Sequence, residues 1–175
     1  MKRFFLMVVL VVIAASTLVD VAPADETPFR MYYVVRHTEK ADDGTKDPPL
    51  TLEGVARSAD LALMLKDAGI EGFFASQYQR TQLTVKPLAD FSYQKVTVVD
   101  ADDYDGLIEQ CRKVDGNVII AGHSNTVPDI IKKLTGREFT IGHNDYDNLF
   151  VVVEHKSGET EVIRLHYGKR TSLKE

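Results

Sequence analysis

The sequence predicts an α/β domain, a three-layer sandwich with a mainly parallel central sheet flanked by helices and an antiparallel edge hairpin. Three observations predict it. Short apolar runs rich in β-branched and aromatic residues alternate along the chain with amphipathic segments of helical length, the order expected of βα units. The runs are continuously apolar, as in parallel strands covered on both faces. Near the carboxyl end two such runs are joined only by Lys156-Ser157-Gly158-Glu159, which reads as a hairpin. A chain of 175 residues holds one compact domain with a real core and is too short for two ordinary ones.

The first predicted strand, Met31 to Val35, ends abruptly in Arg36 and His37. In an open α/β sheet the carboxyl ends of the strands face the ligand crevice, so this pair stands where chemistry is usually found. Ala41 to Leu50, rich in Asp, Gly, Lys and Pro, is a loop long enough to overhang that strand end. Thr51 can cap the next helix, with Glu53 in its first turn and Val55, Ala59, Ala62 and Leu63 on one face; Gly69 closes it. Gly72 to Ala75 is a second strand, followed by the polar cluster Ser76 to Arg80. A helix from Gln79 to about Lys86 follows, ended or kinked by Pro87.

Lys95 to Val99 is a third strand and runs into Asp100, Asp102, Asp103 and Asp105, the densest negative charge in the chain. A helix from about Tyr104 to Lys113 carries the single cysteine, Cys111, which reads as a buried thiol beside Leu107 and Ile108. Asn117 to Ala121 is a fourth strand, ending in Gly122-His123-Ser124-Asn125. A helix from about Thr126 to Leu134 stops at Gly136, and Phe150 to Val153 with Val162 to Leu165 forms the edge hairpin.

The amino terminus is a separate matter. Lys2 and Arg3 precede an apolar run from Phe4 to Ala15, and Ala22-Pro23-Ala24 forms a small-x-small cleavage pattern. Residues 1–24 therefore read as a cleaved signal peptide before a single domain of residues 25–175, and the product as periplasmic or secreted. The competing reading is a retained anchor, since the apolar stretch extends through Val19 toward spanning length. No cysteine follows the run, so a lipid-modified amino terminus is not supported. Cleavage implies no stable membrane association. The net charge of -5 argues against a nucleic-acid partner, because phosphate backbones attract a basic face. One cysteine cannot make an internal disulfide, so the core alone must hold the domain.

Three loops at one sheet edge thus carry Arg36-His37, Arg80 and His123. Two arginines and two histidines around a crevice suit a doubly charged phosphoryl group, because guanidinium groups offer forked donors to its oxygens. A neutral histidine can attack phosphorus through one ring nitrogen when the proton on the other is held by an acceptor, and nearby arginines disfavour its protonation. No histidine pair has the spacing of a helical metal site, so no metal and no cofactor is expected.

Taken together, Arg36-His37, the stretch Ser76 to Thr84 (SQYQRTQLT), Gly122-His123-Ser124, and Leu50-Thr51 with Gly54 resemble the histidine phosphatase superfamily, also called phosphoglycerate-mutase-like. The likeness spans about Met31 to Leu134 and looks most like the short exported phosphatases. It implies a metal-independent hydrolase acting on a phosphomonoester or phosphohistidine. His37 would be the nucleophile that becomes phosphohistidine, and Arg36, Arg80 and His123 would line the phosphate pocket. Thr38 stands where the family usually has glycine and could add a hydrogen bond to phosphate. The proton donor is not fixed by the motifs; Asp102, Asp103 and Asp105 are candidates, with Asp103 preferred. Without an acid, substrates with good leaving groups would be favoured. The implied partner is a phosphorylated small molecule or phosphoprotein. The alternatives are a non-catalytic phosphate-binding module of the same fold and a phosphomutase.

Each residue also has a plain structural reading. Arg36-His37 could be a solvated strand end, Arg80 a surface helix residue and His123 a helix cap, while the acidic run could be a solvated loop. His143, His155 and His166 read as ordinary loop and hairpin residues. Asp145, Tyr146, Asp147 and Asn148 could rim the pocket or simply form a turn.

Overall fold

A computed structural model of the chain describes residues 29–171; the expected signal segment, residues 1–24, lies outside them. Ten elements follow one another: β1 (Phe29–Arg36), α1 (Leu52–Leu65), β2 (Ile70–Ala75), α2 (Gln79–Phe91), β3 (Val96–Val98), α3 (Tyr104–Arg112), β4 (Asn117–Gly122), α4 (Thr126–Thr135), β5 (Asn148–His155) and β6 (Thr160–His166). The strands form one sheet in the order β3-β2-β4-β1-β5-β6. The first four run parallel, and β5 and β6 complete the far edge in antiparallel pairing, as the sequence predicts.

Alternate residues of the central strands feed two separate cores, which is why those strands are apolar throughout. Tyr32, Val34, Val118 and Ile120 pack with Leu107, Ile108, Ile130 and Ile131 of α3 and α4. Tyr33, Val35, Ile119 and Ala121 pack with Leu61, Leu65, Val85 and Leu88 of α1 and α2 on the opposite face. Cys111 is fully buried in the first of these cores, and burial pushes its thiol up to about 12, far from a reactive thiolate.

The order of strands places a crevice between β1 and β4. The chain leaves β1 toward β2 on one side and leaves β4 toward β5 on the other, so the two connections diverge above a pair of adjacent strands. Arg36 is in register with Gly122, and the His37 N–H donates to the Gly122 carbonyl at 2.8 Å. Both strand ends are thereby locked side by side.

Three local expectations are corrected. Helix α1 buries Gly54, Arg57, Ser58, Leu61 and Leu65, leaving Val55 and Leu63 more than half exposed. The polar face turns inward because buried Arg57 finds partners there: its Nε and Nη2 donate to the Glu39 carboxylate at 2.8–3.0 Å, and its Nη1 to the carbonyls of Tyr167 and Lys169. A buried guanidinium so fully met tolerates desolvation, and the helix rotates to suit it. Helix α2 continues through Pro87 to Phe91, because Leu88 and Ala89 still bury in the core beyond the proline. Gly69, with φ +60°, belongs to the turn before β2 rather than to the end of α1.

Candidate active site

His37 sits just past β1, almost fully buried. Its Nδ1 lies 2.7 Å from the Thr38 carbonyl, an oxygen that can only accept, so Nδ1 carries the proton and Nε2 keeps its lone pair. The fixed tautomer leaves one nucleophilic nitrogen. The His123 ring stands edge-on to it with centroids 5.3 Å apart.

Arg36, the last residue of β1, is held by the loop before β5. Its Nη1 donates to the carbonyls of Gly142 and His143 at 3.2 and 2.6 Å, and its guanidinium carbon lies 4.1 Å from the centre of the Tyr146 ring. Tyr146 also approaches His37, ring to ring, at 6.1 Å. The Arg36 Nε is buried and has no hydrogen-bond partner among the described residues. Arg80, in the first turn of α2, shows the same pattern: Nη1 faces the Asp47 carboxylate at 3.5 Å, Tyr78 stacks at 4.3 Å, and Nε is buried and unpartnered. Each arginine is steadied by a loop and an aromatic ring, and neither buried Nε–H finds an acceptor among the described residues.

His123, one residue past β4, is steadied by hydroxyls. Its backbone N–H donates to the Thr126 Oγ1 at 2.8 Å, and its Nε2 lies 2.9 Å from the Ser76 Oγ. Ser76 in turn lies 2.8 Å from the Thr81 Oγ1, which donates to the Tyr78 carbonyl at 2.7 Å. Strand β2 and helix α2 thus hold the histidine that β4 delivers.

The charge balance follows from burial and from the arginines. Desolvation, reinforced by Arg36, His123 and Arg80, lowers the His37 pKa to about 3. Desolvation with Arg80 and Arg36 lowers that of His123 to about 4. Both imidazoles are neutral at pH 7 between two guanidinium charges. Such an arrangement can take an anion beside an unprotonated ring nitrogen.

Residues 32–111 match the family model of the histidine phosphatase superfamily, branch 1. The matched stretch takes in Arg36, His37 and Arg80 and ends within α3, short of β4 and His123. Solved structures share the fold of this chain. The protein histidine phosphatase SixA complexed with tungstate superposes with a TM-score of 0.63 at 20% identity, covering 78% of this chain and 96% of that one. A mycobacterial glucosyl-3-phosphoglycerate phosphatase gives 0.63 at 12%, covering 81% and 100%. A mutant phosphoserine phosphatase from Entamoeba histolytica with bound phosphoserine gives 0.59 at 11%, covering 79% and 96%. No curated protein sequence matches the chain.

Within this histidine phosphatase fold the predicted residues divide. Arg36, His37, Arg80 and His123 come together. Thr38 lies among them, but its hydroxyl donates to the Gly54 carbonyl at 2.9 Å and its N–H to the Thr84 Oγ1 at 2.9 Å, so its hydroxyl proton is spent on α1 and its backbone N–H on α2. Asp103 is exposed and caps α3, accepting from the Gly106 N–H at 2.9 Å, while Asp105 pairs with Lys133. Among the described residues neither histidine is hydrogen-bonded or ion-paired to a carboxylate. Ser76, Thr81 and Asp47 were not singled out by sequence reasoning as site residues. Ser76 and Thr81 lie inside the SQYQRTQLT stretch, whose hydroxyls were the available signal; Asp47, in a loop of alternating charge, had none. His143 enters only through its backbone carbonyl, and His166 lies 3.2 Å from Asp147 at the hairpin.

Proposed function

We propose that this chain is a phosphatase that transfers a phosphoryl group to His37 Nε2 and then to water, without a metal. The observation that carries the reading is a pair of buried arginine Nε donors without partners among the described residues, on two guanidinium groups whose charges both act on a histidine whose tautomer leaves Nε2 unprotonated. Buried donors without partners are costly, and a bound phosphoryl dianion would satisfy both. In the first step the Nε2 lone pair forms a bond to phosphorus as the bond to the leaving group breaks, and the arginines and His123 stabilise charge on the equatorial oxygens. In the second, water attacks phosphorus, the P–N bond breaks, and orthophosphate leaves with His37 restored. Export to the periplasm or beyond, expected from residues 1–24, is part of the same proposal.

The carboxylates around the pocket favour a class of substrate. Asp103 caps a helix, Glu39 is bound to Arg57, and Asp47 faces Arg80. Each is engaged with a donor or a cation, so none of these three is free to protonate a leaving group. Aryl phosphates and phosphoramidates such as phosphohistidine, whose leaving groups need little help, suit this site better than alkyl phosphates.

The test is phosphate release from an aryl phosphate in the presence of a chelator, with trapping of an acid-labile phosphoenzyme, beside His37→Ala. Turnover and label that both vanish in the variant support the proposal. Activity retained by His37→Ala would refute it. Phosphate binding without turnover would support a non-catalytic binding module instead.

A further inference from the structure

The two arginines of the pocket differ in one respect. Arg36 faces neutral carbonyls on its loop side, whereas Arg80 faces a carboxylate, that of Asp47. The pairing is loose: 3.5 Å between Nη1 and Oδ1, at the long end for an ion pair. Asp47 does not depend on Arg80 for its place. The Gln79 N–H, at the start of α2, donates to both its carboxylate oxygens at 2.9 and 3.2 Å, and the Gln79 side-chain amide donates to the Asp47 carbonyl at 3.2 Å. The loop that carries it is closed at its neck by Ala41 N–H to the Pro49 carbonyl at 2.8 Å and Thr51 N–H to the Glu39 carbonyl at 2.9 Å. The negative charge is therefore anchored to backbone beside the phosphate site, with one face still in solvent.

We propose that Asp47 is a positioning residue that partly neutralises Arg80 and so weakens the hold of the site on orthophosphate, favouring its release after hydrolysis. The physical case is simple. A dianion between Arg36 and Arg80 feels the Asp47 charge as repulsion, softened but not removed by the solvent on its open side. Orthophosphate has no leaving group to distinguish it from substrate and profits from the same donors, so a site of two unopposed arginines would retain its product. Arg80 keeps Nε for the anion while Nη1 is shared. An opposing charge held by backbone does not swing away when the anion arrives.

The inference rests on the phosphate-site reading, and the experiment separates the two. Orthophosphate is titrated calorimetrically into wild-type protein, Asp47→Asn, Arg80→Gln and the double variant, and KM and kcat are measured with an aryl phosphate. Asparagine retains an oxygen for the Gln79 N–H and loses only the charge. Asp47→Asn is expected to bind orthophosphate about fivefold more tightly, the order for removing one half-exposed charge beside a bound anion. KM should fall with it while kcat does not rise, and the effect should disappear in the Arg80→Gln background. Asp47→Ala, which loses the cap as well, checks that the tightening comes from charge. Unchanged or weaker binding by Asp47→Asn would overturn the role of Asp47 and leave the site reading standing. Failure of wild-type protein to bind orthophosphate would overturn both.

Discussion

The guanidinium groups of Arg36 and Arg80 are disposed alike: in each, Nη1 is turned to a loop, an aromatic ring lies within 4.3 Å, and Nε is buried without a partner among the described residues. One comes from the end of β1 and the other from the start of α2, yet the charges of both act on His37. A planar fork can be tied at one nitrogen and still present another, and a lysine ammonium cannot. Arg36→Lys and Arg80→Lys should therefore each lower kcat/KM toward an aryl phosphate by about 100-fold, the order seen when one charge-stabilising donor is removed. Steady-state kinetics on the two variants decides it. A loss under about threefold in both would show that charge alone suffices.

The two neutral histidines make stability depend on pH in a definite direction. Their folded pKa values, about 3 for His37 and about 4 for His123, lie below the ordinary 6.5, so the unfolded chain binds protons that the folded chain refuses. This part of the stability is complete above about pH 6.5 and is lost as pH falls through the interval down to about 4 and then 3. By pH 5 the loss should be about 2 kcal/mol for each histidine. Urea unfolding at pH 7 and pH 5 measures it, with His37→Asn as the control for carboxylates that titrate elsewhere. Equal pH slopes in the two proteins would show that His37 is not held neutral by the fold.

What the sequence revealed and what it hid follow from the reach of each interaction. The strands were legible because burial on both faces leaves an unbroken apolar run, and Arg36, His37, Arg80 and His123 were legible because such runs end where a parallel sheet opens. The inward face of α1 was not legible. Val55 and Leu63 look like core residues in the sequence, but the Arg57–Glu39 pair and the Thr38–Gly54 bond decide which side turns in, and both depend on a loop whose course sequence periodicity does not describe. Asp103 illustrates the same limit. Its place after a strand matched an acid donor, and its local chance to cap α3 claimed it. Tyr146 was legible only as one of four residues that could rim the pocket or form a turn, and Asp47 not at all, because both reach the arginines from loops whose courses are set by bonds to distant residues.

Ser76 should matter to His123 more than its modest side chain suggests. The Thr81 hydroxyl is committed to the Tyr78 carbonyl, so the Ser76 proton is shared between Thr81 and His123, and its oxygen fixes the imidazole from behind. Ser76→Ala leaves the His123 Nε2 buried without a partner. The expected result is a loss of about 1–3 kcal/mol in stability and of about tenfold in kcat/KM. Ser76→Thr, which restores the hydroxyl, should recover much of the activity. If Ser76→Ala keeps full kcat/KM, the bond does not orient His123 for the reaction.

Gly54 is the tightest point of the frame beneath the site. A Cβ at this position would run into the backbone oxygen of Glu39, an atom that cannot rotate aside. To admit it, α1 would have to withdraw from the end of β1. That movement would stretch the Thr51 N–H bond to the same Glu39 oxygen, 2.9 Å, and the Thr38 hydroxyl bond to the Gly54 carbonyl, 2.9 Å. Because Thr38 follows His37 directly and its carbonyl fixes the His37 tautomer, the disturbance should reach His37. Gly54→Ala is expected to cost about 3 kcal/mol, with a fall in Tm of roughly 10 °C for a domain of this size, and to lower kcat as well. Gly44→Ala is the control: its φ is +75° and nothing lies within 4 Å of an added Cβ, so only backbone strain of about 1 kcal/mol opposes it, with no effect on turnover. Thermal melts and kinetics on the pair separate close approach from conformational preference, and equal losses in the two variants would show that the Glu39 contact does not govern the position of α1.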